Sequence, residues 1–271
     1  MLISIIIPTF NCKPFLKRCI DSVKAQTYSE WECIIVDDCS TDGSQELIKS
    51  LVEGDSRFMV QLWGIHRNAG CSRNQGILAS HGDALFFLDA DDWIEPKMLE
   101  YLVSIHNNYP QVGRIFSPPI VHREADNYTH IWGFSHGGLH EPFSEWLFKD
   151  ASCDPGHCTG CLYVLSNIQG KVRFNEDVRV LEDMVFNMGL IFSGISTYIT
   201  YDSYYNYTRR KSGSLVSSYP FTIRHAEIAN DALEELHEMY HPPKEVFTRC
   251  RDMLNIRIMG LLAKQQERNK Q

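Results

Sequence analysis

The first ninety residues repeat one pattern: a short apolar run that stops at polar or acidic side chains, followed by a stretch of helical period. Residues 2–7 form an isoleucine-rich run ended by Pro8. Residues 32–36 form a second, which stops at Asp37 and Asp38, and residues 84–88 form another, which stops at Asp89. Runs apolar on both faces are how the strands of a buried parallel sheet read. Residues 58–65 supply a further strand. Between the runs, Phe15, Leu16, Cys19, Ile20 and Val23 recur at helical spacing within 13–26. Residues 44–51, 74–80 and 98–106 also read as helices, the first of them preceded by capping chemistry at Ser40, Thr41 and Asp42. Such alternation builds a parallel α/β sheet. Ligands of these sheets bind beyond the carboxyl ends of the strands. The polar clusters at 8–11, 37–38 and 89–92 all fall at such ends, so one crevice can collect them.

Downstream the pattern changes. Residues 107–160 are rich in Pro, His, Gly and aromatics, show no clear period, and read as loops over a site. Period returns at 181–192, a helix opening on Glu182 and Asp183. Residues 198–207 alternate as a hairpin does, 209–218 form a basic Ser/Gly loop, and helices at 221–240 and 244–267 are separated by Pro242 and Pro243. The expected fold class is α/β, with a mostly parallel central sheet flanked by helices and a C-terminal helical extension. The expected domains are 1–218 as a catalytic unit, with halves at 1–106 and 107–218, and 219–271 as the extension.

Composition narrows the function. A formal net charge of −8 argues against a nucleic-acid partner. Nine cysteines scattered along 271 residues do not resemble a small secreted disulfide framework. There is no basic, apolar leader at the start and no apolar run of bilayer-spanning length, so a cytoplasmic setting is expected.

The strongest chemical signal is Asp89-Ala90-Asp91-Asp92. Three carboxylates within four residues repel one another at the end of a buried strand unless a cation or a donor network holds them. Hard oxygen ligands suit Mg²⁺ or Mn²⁺, which commonly join one or two carboxylates to substrate phosphates. The bland alternative is turn and capping chemistry. Asp37-Asp38 can likewise be a cap, or can accept a base N–H or ribose hydroxyl. In the segment 68–76, Gly70 is expected to permit a tight turn and Arg73 to reach a phosphate; an ordinary loop is the alternative. Glu182 and Asp183 can offset a helix dipole, or one of them can act as general base.

Taken in order, Ser4-Ile5-Ile6-Ile7-Pro8-Thr9-Phe10-Asn11, Val36-Asp37-Asp38-Cys39-Ser40-Thr41-Asp42, the segment 68–76, Leu88-Asp89-Ala90-Asp91-Asp92 and Glu182-Asp183-Met184-Val185-Phe186 resemble glycosyltransferase family 2. The resemblance covers about the first two-thirds of the chain. It implies an inverting enzyme of the Rossmann-related GT-A fold that uses a nucleotide-sugar, most simply a UDP-sugar carrying a hexose or N-acetylhexosamine. It also implies a divalent metal cofactor, Mn²⁺ or Mg²⁺, at Asp91, and a catalytic base at Asp183. Pro8, Thr9, Phe10, Asn11 and Asp38 match the nucleotide cradle, together with Asn68 and Arg73. Asp89 and Ala90 complete the D-x-D segment, and Arg209 and Lys211 match a basic loop near the diphosphate. Cys39 departs from the pattern, since Gly or Asn is common there. The implied acceptor is a glycan or lipid-linked glycan, in capsule, O-antigen or lipooligosaccharide synthesis.

Rival readings remain at this stage. A non-catalytic nucleotide-sugar-binding scaffold keeps the fold but not the chemistry. His237-Glu238-Met239-Tyr240-His241 fits the H-E-x-x-H zinc-hydrolase pattern, although Pro242 and Pro243 must stop its helix near His241. Cys153, Cys158 and Cys161, with His157, can be read as zinc ligands or as free thiols near the acceptor cleft. The last helix either packs on the catalytic domain or places a basic amphipathic face on the inner membrane surface.

Overall fold

The computed structural model of the chain describes residues 1–132, 137–143, 158–168, 173–211 and 220–269. The N-terminal half alternates as expected: β1 (Ile3–Thr9), α1 (Lys13–Lys24), β2 (Trp31–Asp37), α2 (Ser44–Val52), β3 (Phe58–Leu62), α3 (Ala69–Ala79) and β4 (Ala84–Phe87). These strands pair in parallel in the order β3-β2-β1-β4. The chain therefore steps outward from β1 through β2 to β3, then returns to the other side of β1. That reversal leaves a crevice beyond the carboxyl ends of β1 and β4.

The central strands are mostly apolar because both faces of the sheet are covered, with Ser4, Glu32 and Asp37 among the exceptions. The two-residue period divides them. Ile3, Ile5, Ile7, Cys33, Ile35 and Phe86 pack with Leu16, Ile20 and Val23 of α1, Ile48 of α2, and Leu99 and Leu102 of the helix α4 (Met98–Asn108). Ile6, Ile34, Val36, Leu85 and Phe87 face the opposite way, against Phe174 and against Phe186 and Leu190 of α5 (Glu182–Phe192). Helix α3 presses on this second face. A Cβ on Gly76 would lie 2.3 Å from Ile6 Cγ2, so only glycine permits the approach.

The region 107–160 is not simply loops. It supplies β6 (Arg114–Phe116), β7 (Pro119–Arg123), β8 (Tyr128–Ile131) and β9 (Gly138–His140), following the short β5 (Trp93–Ile94). Strand β10 (Cys161–Val164) runs antiparallel between β4 and β6, and β11 (Thr197–Ile199) and β9 complete an eight-stranded sheet. Residues 198–207 are not a hairpin either. β11 belongs to the large sheet, whereas β12 (Tyr205–Arg209) lies in a four-stranded sheet of order β5-β12-β7-β8. Strands of three to five residues that pair with distant partners leave no period of their own in the sequence.

The C-terminal helices, α6 (Ile223–Tyr240) and α7 (Lys244–Arg268), form as expected and pack on α5. Val246, Phe247, Cys250, Leu254, Ile258 and Leu261 of α7 are buried, and Ile256 and Met259 are exposed. Among the described residues no helix is long and apolar enough to cross a membrane.

Candidate active site

The crevice is built by main-chain and side-chain bonds that tie the motif ends together. Asp38 N–H donates to Thr9 C=O (2.8 Å), fixing the end of β2 against β1. Asn11, at φ 50°, accepts from Thr41 N–H (2.9 Å), and its own N–H donates to Ser40 Oγ (2.8 Å). Asp42 accepts from Lys13 N–H (3.0 Å) and Ser44 N–H (3.0 Å), so one carboxylate serves the first turns of both α1 and α2. The capping chemistry read at 40–42 is thus present, with Gly43 rather than a polar residue at the N-cap of α2. Cys39 takes φ 66°. A left-handed backbone explains why Gly or Asn is usual at this place.

One side of the crevice is aromatic. The rings of Phe10 and His66 stack with centroids 4.1 Å apart. His66 Nδ1 also lies 3.0 Å from Asp38 Oδ2, and Arg67 N–H donates to Asp38 Oδ1 (2.7 Å). Burial pushes the Asp38 carboxyl above the usual range, while the Arg67 N–H and His66 pull the other way. Pro8 and Thr9 end β1 beside this cradle; Thr9 is buried.

The centre is a carboxylate–guanidinium chain. Arg73, 4% exposed, donates from Nη1 to Glu182 Oε1 (2.8 Å) and from Nη2 to Asp89 Oδ1 (2.9 Å). It therefore ties the end of β4 to the first turn of α5, where Asp183 also sits. Leu181, the N-cap of α5, holds φ 73°, an unusual backbone for a γ-branched residue placed just before those carboxylates. Asp183 Oδ1 accepts from Met184 N–H (2.8 Å). The sequence suggests Arg73 as a phosphate contact and Glu182 as a dipole partner or a general base; pairing across 109 residues is what joins them.

Asp89, Asp91 and Asp92 each place a carboxylate oxygen within 4.8 Å of the others. Their roles divide by hydrogen bonding. Asp92 is fully buried and accepts from Tyr205 Oη (2.5 Å) and Thr208 N–H (2.7 Å), so it holds β12 in place. Burial pushes its carboxyl well up, Asp91 and Asp89 add to that, and these two donors offset it. Asp91 is partly exposed, with Oδ2 2.6 Å from Arg210 Nε. Burial and the neighbouring Asp89 push Asp91 up to about 6, against the pull of Arg210. Its carbonyl accepts from Arg18 Nη2 (2.8 Å) and Thr208 Oγ1 (2.6 Å). Ala90 is buried beneath them. Oxygen-only donors crowded to this degree fit a hard divalent cation, with Asp91 and Asp89 as the available carboxylates and Asp92 already committed.

Other expected site residues are placed differently. Asn68 caps α3, accepting from Cys71 N–H (2.9 Å) and donating to Glu176 C=O (2.9 Å). Through that cap α3 starts at Ala69, five residues before the expected start. Gly70 lies in its first turn rather than in a tight turn, close to the Asn68 side chain. Arg209 is exposed at the end of β12, and Lys211 donates its N–H to Glu124 Oε2 (3.2 Å). Arg210, between them, is the residue that reaches Asp91. Its position just past the end of β12 selects it, and the loop's basic composition could not.

The H-E-x-x-H pattern does not assemble a zinc site. His237 stacks on Phe247 with centroids 4.0 Å apart, whereas His241 is the left-handed C-cap of α6. The one cluster of three candidate metal ligands among the described residues is the aspartate group. Cys158 and Cys161 are buried and free, and Cys153 and His157 lie outside the described residues.

A parallel half-sheet with this switch point, extended by an antiparallel strand and carrying an Asp-x-Asp at the end of β4, defines a GT-A-type glycosyltransferase fold. S. aureus TarS 1–349 in complex with UDP-GlcNAc superimposes with a TM-score of 0.72 at 18% identity, over 86% of this chain and 66% of that one. The mannosyltransferase PcManGT of Pyrobaculum calidifontis, in complex with GDP-Man and Mn²⁺, gives 0.57 at 18% identity over 98% and 79%. Among curated sequences, the glycosyltransferase GlyA of Streptococcus pneumoniae serotype 4 is 37% identical over 139 residues, 49% of this chain and 19% of GlyA. The uncharacterised glycosyltransferase EpsJ of Bacillus subtilis is 40% identical over 104 residues, 37% of this chain and 29% of EpsJ. The matches thus span less than a third of these two relatives. Residues 4–165 match Glycosyl transferase family 2, and the chain belongs to that family.

Proposed function

We propose that the chain is an inverting glycosyltransferase that moves a hexose or N-acetylhexosamine from a UDP-sugar to a hydroxyl of a glycan or lipid-linked glycan. The context is a bacterial surface polysaccharide such as capsule, O-antigen or lipooligosaccharide. The observation that carries this reading is the Arg73 bridge from Asp89 to Glu182, because it sets the general-base candidate beside the Asp-x-Asp segment. Pro8, Thr9, Phe10, Asn11, His66 and Asp38 cradle the nucleoside, with Phe10 offering a ring face and Asp38 an acceptor. Arg73, Arg209, Arg210 and Lys211 supply positive charge toward the diphosphate. Asp91, with Asp89, would hold Mn²⁺ or Mg²⁺, whose charge would stabilise the departing nucleotide diphosphate.

The chemistry assigned to the chain's own residues is a single displacement. Asp183 accepts the proton of the acceptor hydroxyl as that oxygen bonds to the anomeric carbon. The bond from that carbon to the diphosphate oxygen breaks, and its electron pair leaves with UDP. Attack from the face opposite the leaving group inverts the configuration. The exposed Ile256 and Met259 beside Arg257 on α7 support contact with a membrane that carries the acceptor.

UDP release from UDP-sugars, with Mn²⁺ and with washed bacterial membranes as acceptor source, tests the proposal. Asp183→Asn is expected to lower turnover by about 10²–10⁴-fold while leaving the donor-induced thermal shift intact. Asp91→Ala is expected to abolish both. Wild-type turnover in Asp183→Asn would remove the assigned base. A scaffold protein would show the thermal shift and no UDP release at all.

A further inference from the structure

Arg210 occupies a singular place. It follows directly after the last residue of β12, and its guanidinium lies against Asp91 with Nε 2.6 Å from Oδ2. The pair is largely shielded, with the Arg210 side chain 10% exposed and that of Asp91 21%. Nη2 donates to Cys12 Sγ (2.9 Å), and the guanidinium carbon sits 4.5 Å from the centroid of the Phe15 ring. The Asp91 main chain is fixed, because Arg18 and Thr208 both donate to its carbonyl. A cation approaching Oδ2 of Asp91 therefore meets the guanidinium.

We infer that Arg210 is the resident counter-cation of Asp91 and makes divalent-metal binding depend on the nucleotide diphosphate. The inference rests on the donor reading above. A metal on Oδ2 would displace the guanidinium, and one on Oδ1 would sit within a few ångströms of it, so either mode of entry weakens the Arg210–Asp91 pair by like-charge repulsion. Alone, the metal bears that cost in full. With a diphosphate present, the released guanidinium gains a second anion of matching geometry. The two ligands then bind with positive coupling, and each raises the affinity of the other by the same factor. Arg210 is in this sense a positioning residue: it keeps the inner carboxylate neutralised until the donor arrives.

The test is Mn²⁺ titration of the full chain, followed by electron paramagnetic resonance, with and without UDP. Arg210→Gln and Arg210→Ala are expected to tighten Mn²⁺ binding without UDP by about tenfold, and to shrink the further tightening that UDP gives. Arg210→Lys, which keeps a cation, is expected to stay near wild type in both respects. A merely structural role would weaken Mn²⁺ binding with and without UDP, and that result would overturn the inference, as would unchanged affinity in the Gln and Ala variants. Asp91→Asn separates the two levels. If it leaves Mn²⁺ affinity untouched, the metal reading itself fails and this inference falls with it.

Discussion

Removing Arg73 should cost more stability than removing any exposed charge on this chain, and the structure says how much. Arg73→Met keeps most of the side-chain volume and deletes two charge-assisted hydrogen bonds, to Glu182 (2.8 Å) and Asp89 (2.9 Å). The two carboxylates left behind are not equivalent. Asp89 is 31% exposed and can recover water, whereas Glu182 is 9% exposed and cannot. Most of the penalty is therefore an unpaired carboxylate at Glu182. Breaking one partner of a buried ion pair costs about 3–5 kcal/mol. The position of Glu182 in the first turn of α5 returns roughly 0.5 kcal/mol of that, and solvent access at Asp89 places the total near the lower end, about 3 kcal/mol. For a chain of this size such a loss lowers Tm by about 6–12 °C. Pairing the change with Glu182→Gln should restore about half the loss, since a neutral amide has no charge to strand. Urea unfolding of the wild type, both single variants and the double variant closes the cycle. A loss below about 1 kcal/mol for Arg73→Met, or a double variant no more stable than Arg73→Met alone, would refute the account of the bridge as a buried, mutually dependent pair.

Two further perturbations probe the scaffold around the crevice. Glu32 is partly buried, which raises its pKa, but hydrogen bonds from Ser4 Oγ and from the His81 N–H and ring outweigh burial and hold it below the usual range. A depressed folded-state pKa contributes stability that is present above the unfolded value and lost as pH falls through the folded one. Glu32→Gln should therefore be less stable than wild type at pH 7, with the gap closing below about pH 4 in thermal melts; a gap independent of pH would contradict the assignment. Cys39 pays for a left-handed backbone at φ 66°, so Cys39→Asn should gain about 0.5–1 kcal/mol in urea unfolding, and a loss would show that the thiol makes a compensating contact.

Much of the architecture was legible because its signals are local. An all-apolar run needs two covered faces, a helical period needs one, and a carboxylate cluster at the end of a buried strand needs a cation or donors. From these came the four parallel strands, the crevice and the Asp-x-Asp segment, and the ordered motifs gave the family. The misreadings share one cause. β6, β9 and the separation of β11 from β12 depend on pairing between residues far apart in sequence, and strands of three to five residues, the local β7–β8 hairpin included, display no period of their own. Asn68 looks like any loop amide until its side chain is seen capping α3.

The sequence by itself determined that carboxylates would gather where the parallel strands end, because strand direction and apolar patterning are set residue by residue along the chain. Only the tertiary structure decided what each carboxylate does: Asp92 pins β12, Asp89 shares Arg73 with Glu182, and Asp91 alone faces Arg210. Four acidic side chains of similar intrinsic chemistry are told apart by their partners and their solvent access. Those partners arrive from 16 to more than 100 residues away, through folding that no local pattern encodes.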